Sequence, residues 1–213
     1  MMNALRVCGD TISATARGDS ASAPSALCSC CLVAPLGVRP NIMRFVVISL
    51  LFNVFWFTAA LGQSSTQWLL VAMLAAAIVY QRDVLWAIIT LTPIGLVGDN
   101  LLIHFGWLAT EPALAWMPVW LVLLWCGFCA FVWLLRKIIL AHSLWAMSLI
   151  GALGGASSYV AGERLGAIVF PQPWLTTSLV LMAVWAVYSV ILIHLIRWLV
   201  EKTQPTTLAS GGE

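Results

Sequence analysis

The chain has 213 residues, of which 62% are hydrophobic and only 8% charged, and its mean hydropathy is +0.99. Soluble domains carry about a quarter charged residues, so this chain cannot coat its surface with groups that water solvates. That excludes a soluble enzyme, a nucleic-acid module and a disordered protein, and a net charge of only +2 leaves no electrostatic footprint for nucleic acid.

Residues 1–42 are rich in Ser, Ala, Gly and Arg and show no apolar period. A secretory signal needs an uninterrupted apolar run after its basic start. Here Asp10, Thr11, Ser13 and Arg17 break the run that follows Arg6. Ser25-Ala26-Leu27-Cys28 does not fit a lipoprotein signal, and Asp10 and Asp19 spoil an organelle transit peptide. Met43-Arg44 stands directly before the first apolar run. Residues 1–42 are therefore expected to be a disordered tail or a start placed too early, because so polar a segment cannot offset its ordering entropy. Cys28, Cys30 and Cys31 form C-x-C-C with no histidine nearby, which is not a zinc-finger spacing.

Dividing the rest by the ~20 residues a helix needs to cross a bilayer predicts an all-α, polytopic membrane domain of six spans over residues 43–202. The spans are 45–62, 68–80, 84–107, 115–135, 143–162 and 174–200, and a polar tail follows from 203 to 213. The second is short and needs Thr66, Gln67 and Gln81, or local thinning, to cross. The connections are Gln63–Gln67, Gln81-Arg82-Asp83, a loop with Glu111, a connector after Arg136-Lys137, and a loop with Pro171 and Pro173. No internal repeat stands out in the apolar runs.

Lys and Arg collect in cytoplasmic loops. Six spans put Arg44, Arg82, Arg136, Lys137, Arg197 and Lys202 on one side and only Arg164, beside Glu163, on the other. Both termini are therefore expected in the cytoplasm. Tryptophans fall near both edges, as in aromatic belts: Trp107, Trp116, Trp120 and Trp174 on the outer side, Trp86, Trp133, Trp145 and Trp198 on the inner. Cys126 and Cys129 sit inside the fourth span, away from polar groups that would activate a thiol, and read as inert packing.

Asp99 is the outstanding polar residue, about 22 Å along the third span and so within the outer part of the hydrocarbon core. An ionisable group there costs roughly 2.5–3.5 kcal/mol on insertion scales and needs a partner. Arg164, at the outer end of the fifth span, is the expected partner, and Glu163 competes for it. Gly95 and Gly98 should admit a neighbouring helix, and Gly151, Gly155, Gly162 and Gly166 mark the fifth span as central. Asp99, Asn100, Tyr159, Glu163 and Arg164 form a candidate polar cluster, with Asn53 as a further amide near mid-membrane. The cluster is read either as a structural charge pair or as a substrate or proton site. His104, His142 and His194 fall on separate segments, so no metal site is expected, and no nucleotide or hydrolase motif implies a cofactor or catalytic residue.

Gly98-Asp99, Leu101-Leu102, Gly106, Met117-Pro118-Val119-Trp120-Leu121, Leu124-Trp125, Gly151–Gly155, Ser158-Tyr159, Ala161-Gly162 and Leu165-Gly166-Ala167 resemble, in order, a family of small bacterial inner-membrane proteins, the domain of unknown function 2878. The resemblance covers about Met43 to Lys202. It implies a topology and at most a role in membrane-lipid or envelope physiology. The leading expectation is a multi-pass inner-membrane protein with a non-enzymatic accessory or interaction role. Its partners would be the lipid bilayer, a membrane protein or a second copy. A small-solute or proton-coupled transporter using Asp99 and Arg164, and an intramembrane lipid-modifying enzyme, are the alternatives.

Overall fold

The structure, a computed structural model, describes residues 40–110 and 116–203. The expectations for 1–39, for the tail after Thr203 and for Glu111 lie outside the described residues. The described chain is all-α: α1 (Pro40–Gly62), a 3₁₀ turn (Gln63–Thr66), α2 (Gln67–Tyr80), α3 (Asp83–His104), α4 (Val119–Leu134), α5 (Arg136–Ala141), α6 (Leu144–Arg164) and α7 (Trp174–Thr203). This is a polytopic membrane bundle. Among the described residues, four stretches are long and apolar enough to cross a membrane: 42–80, 83–104, 144–164 and 174–203. The 39-residue stretch 42–80 covers α1 from its third residue onward, the 3₁₀ turn and α2. The chain reverses within it, at Gln63, which takes a left-handed φ of 43°. Arg44 at the start of α1 and Gln81 after α2 consequently line one small pocket.

Boundaries differ from expectation for local reasons. α1 starts at Pro40, ahead of Phe45, and proline's fixed φ suits a first helical turn. α3 stops at His104, short of Trp107, because Gly106 takes a φ of +70°. The Trp107 N–H then reaches back to Leu102 O at 2.9 Å, a Schellman ending. α4 begins only after Pro118 and has 16 residues. The connector after Arg136 is itself helical, as α5. Ser143 caps α6 by accepting from the Ala146 N–H at 3.2 Å.

The bundle also contains a correspondence that the apolar runs hid. The hairpins α3–α4 and α6–α7 match at an interval of 60 residues, the separation of the hydrogen-bonded pair Asp99 and Tyr159. α6 ends as α3 does: Gly166 takes a φ of +73° and the Ala167 N–H donates to Gly162 O at 2.9 Å. The two exits then pair antiparallel through Ala109 and Val169, with N–H to O distances of 2.9 and 2.8 Å. Buried positions correspond as well: Thr92 with Ala152, Gly95 with Gly155, Leu121 with Leu181, Trp125 with Trp185. α6 packs along α7, α3 along α4, and α1 and α2 both lie against α4.

Candidate functional site

Two features adjoin at α6: a buried polar and aromatic hub, and a groove. Asp99 is 1% exposed and is the centre of the hub. Its Oδ2 accepts from Trp125 Nε1 at 2.7 Å and its Oδ1 accepts from the Tyr159 hydroxyl at 2.6 Å. Both carboxyl oxygens are thus satisfied by neighbouring helices, which is what makes a buried acid tolerable in an apolar medium. Around them Trp125 stacks on Trp185 with ring centres 5.5 Å apart and planes 7° from parallel. Tyr188 lies 5.4 Å from the Trp125 ring and donates its hydroxyl to Ile94 O.

Glycines make room for these rings. A Cβ on Gly95 would strike the Trp125 ring, one on Gly98 would strike Tyr188, and one on Gly155 would strike Trp185. Gly95 and Gly98 were expected to admit a helix backbone; they admit aromatic side chains instead. Two tryptophans expected in the aromatic belts, Trp120 and Trp133, are core residues at 4% and 0% exposure. Trp86, Trp116, Trp145, Trp174 and Trp198 are exposed at the periphery.

The expected pairing of Asp99 with Arg164 is replaced. Arg164 is exposed and Glu163 half-buried at the end of α6, and Arg164 makes no ion pair among the described residues. Neutral donors, Trp125 and Tyr159, serve the buried acid in its place. Asn100 also points elsewhere: its amide donates to Leu96 O at 2.7 Å and its oxygen accepts from the Met117 N–H at 3.3 Å. Of the predicted cluster, only Asp99 and Tyr159 touch. Trp125, which entered the sequence analysis only through the family resemblance, is the partner that sequence reasoning missed. Its spacing from the repeated tryptophan at 185 was the available signal.

On the other side of the hub, a groove of about 780 Å³ runs between α1 and α6. α4 and α7 form its floor through residues such as Phe128, Trp185 and Ile193. It extends from Ala60 and Ile168 at one end to Phe45 and His142 at the other, so it spans the depth of the bundle. The lining is mostly apolar. Its polar residues include Asn53, whose amide donates to Ser49 O at 2.8 Å, Ser157, Ser158, Tyr159 and Ser189, with His142 at one end. Ser157 and Ser158 return their hydroxyls to Gly154 O and Gly155 O at 2.9 and 2.7 Å. Gly154 lines the groove and has nothing within 4 Å of where a Cβ would stand.

A second, smaller pocket of about 240 Å³ lies at the end of the bundle that carries Arg44, Gln81, Asp83, Arg136 and Lys137. Arg136 sits over the Trp133 ring, 4.3 Å from its centre, and donates to Trp133 O at 2.9 Å. With its oxygen turned to Arg136, the Gln81 amide accepts from Nη1 at 2.9 Å and Nη2 at 3.0 Å. Burial lowers the Arg136 pKa, Asp83 raises it and Arg44 lowers it again.

Cys126 and Cys129 are free thiols, and Thr92 Oγ1 donates to Cys126 Sγ at 4.0 Å. Among the described residues, no group of His, Cys, Asp and Glu side chains is placed to hold a metal ion. A family model described as a protein of unknown function, DUF2878, matches residues 45–204. The chain belongs to that family. No curated protein and no solved structure matches it.

Proposed function

We propose that this DUF2878 protein is a non-enzymatic, multi-pass protein of a bacterial inner membrane that holds the apolar chain of a membrane lipid in its lateral groove. The observation that carries this reading is the groove itself. Ligand sites typically have ~300–1,000 Å³ with apolar walls and a few polar groups, and about 780 Å³ with Asn53, Ser157, Ser158 and Tyr159 fits that description. Its direction, along the helices from one end of the bundle to the other, suits an extended chain lying parallel to its bilayer neighbours. The basic end, with Arg44, Arg82, Arg136 and Lys137, is assigned to the cytoplasm by the positive-inside rule. The test is cross-linking with a phospholipid carrying a photoreactive group in its tail. Adducts on α1 residues such as Phe52 and Asn53 and on α6 residues such as Gly154 are expected. Adducts spread evenly over all lipid-facing helices would contradict the reading.

A second reading, a small-solute or proton-coupled carrier, is favoured by one observation: the two corresponding hairpins meet at Asp99. Carriers place substrate and ion sites where their repeats meet. Proton flux into protein-containing vesicles that disappears in Asp99→Asn would support it, and no flux in the wild type would remove it. A lipid-modifying enzyme ranks below both, because Asp99 has both oxygens occupied and is not exposed to the groove.

A further inference from the structure

The groove and the basic pocket adjoin. Leu135 and Ile138 line both, and the neighbours Phe45 and Arg44 on α1 line one each. The pocket brings three cations, Arg44, Arg136 and Lys137, against the single carboxylate Asp83. Arg136 is already oriented, by Trp133 O, by the Trp133 ring and by Gln81. Asp83 offsets the repulsion between Arg44 and Arg136, and the pocket keeps an excess of positive charge. The Arg136 Nη groups already donate to Trp133 O and Gln81, so Arg136 contributes mainly charge, and the Arg44 guanidinium and the mobile point charge of Lys137 are suited to meet phosphate oxygens. An apolar channel opening beside such a pocket has the polarity of one amphiphile. Basic pockets between helices at the cytoplasmic face are also where anionic head groups bind.

We propose that Arg44, Arg136 and Lys137 bind the phosphate of an anionic phospholipid whose acyl chain occupies the groove between α1 and α6. The proposal rests on the chain-binding reading above and adds the head-group class and its orientation. Arg44 and Lys137 supply the selectivity; Arg136 is also a structural link between α4 and the Gln81 turn.

The experiment compares phosphatidylglycerol with phosphatidylcholine of identical chains, bound to the full protein in detergent and quantified by native mass spectrometry. The wild type is expected to prefer phosphatidylglycerol. Arg44→Gln and Lys137→Gln should each lower that preference about fivefold, the effect of one surface cation, because the choline cation already offsets the phosphate of phosphatidylcholine. Arg44→Lys should retain most of the preference, which separates charge from folding. A wild type that binds both lipids equally, or a preference unchanged in the Arg44→Gln/Lys137→Gln double variant, overturns the head-group assignment and leaves the groove reading standing. Failure to retain either lipid overturns both. Inorganic phosphate that displaces phosphatidylglycerol completely at millimolar concentration would identify a free-anion site and overturn the lipid assignment.

Discussion

The α6 helix uses its small residues in two opposite ways. Towards α7, Gly155 and Gly151 leave no space: a Cβ on either would collide with Trp185 or with Ser189. Towards the groove, Gly154 leaves open space, and Ser157 and Ser158 turn their hydroxyls back to the helix's own carbonyls. One face therefore packs aromatic rings around a satisfied acid, and the other keeps a wall smooth and apolar. The contrast teaches that small residues in a membrane helix do not by themselves mark a helix–helix contact. What lies opposite each one decides whether it is a seat for a ring or the side of a channel.

Substitutions should separate the two faces. Gly155→Leu drives a branched side chain into Trp185 and is expected to cost about 3 kcal/mol, at the upper end for overpacking, read as a large loss of monodisperse protein. Asp99→Ala leaves the Trp125 N–H and the Tyr159 hydroxyl without an acceptor and should cost about 2 kcal/mol, read as a fall in thermal midpoint. Tyr159→Phe removes one donor and leaves Trp125 bonded, so about 1 kcal/mol is expected in the same assay. Arg164→Gln should be the smallest, within ~0.5 kcal/mol, and should not couple to Asp99→Asn in a double-mutant cycle. Strong coupling there would restore an Asp99–Arg164 pair and break the comparison.

Much of the fold was legible in the sequence. Apolar run length and turn residues located the six principal helices, because a spanning helix must satisfy its backbone internally and shed charge. Endings were less legible: Gly106 ends α3 through its positive φ, and nothing in the apolar run announces that. In the hub, Asp99 was evident because a buried acid is costly, but its partners were sought among cations. The structure supplies neutral donors, Trp125 and Tyr159, and neutral partners carry no charge pattern to read. The hairpin correspondence was hidden for a related reason. The interval preserves Gly95 and Gly155, Gly106 and Gly166, Trp125 and Trp185, yet places Asp99 opposite Tyr159, where complementarity replaces identity. The groove follows from how α1 and α6 flank α4 and α7, a tertiary relation that no local pattern encodes.

The most direct test of the groove is native mass spectrometry of the purified protein and its Gly154→Leu variant. The leucine enters open space, so the variant should keep the wild-type thermal midpoint and lose the bound lipid that the wild type retains. Equal lipid retention in two equally stable proteins would contradict the account.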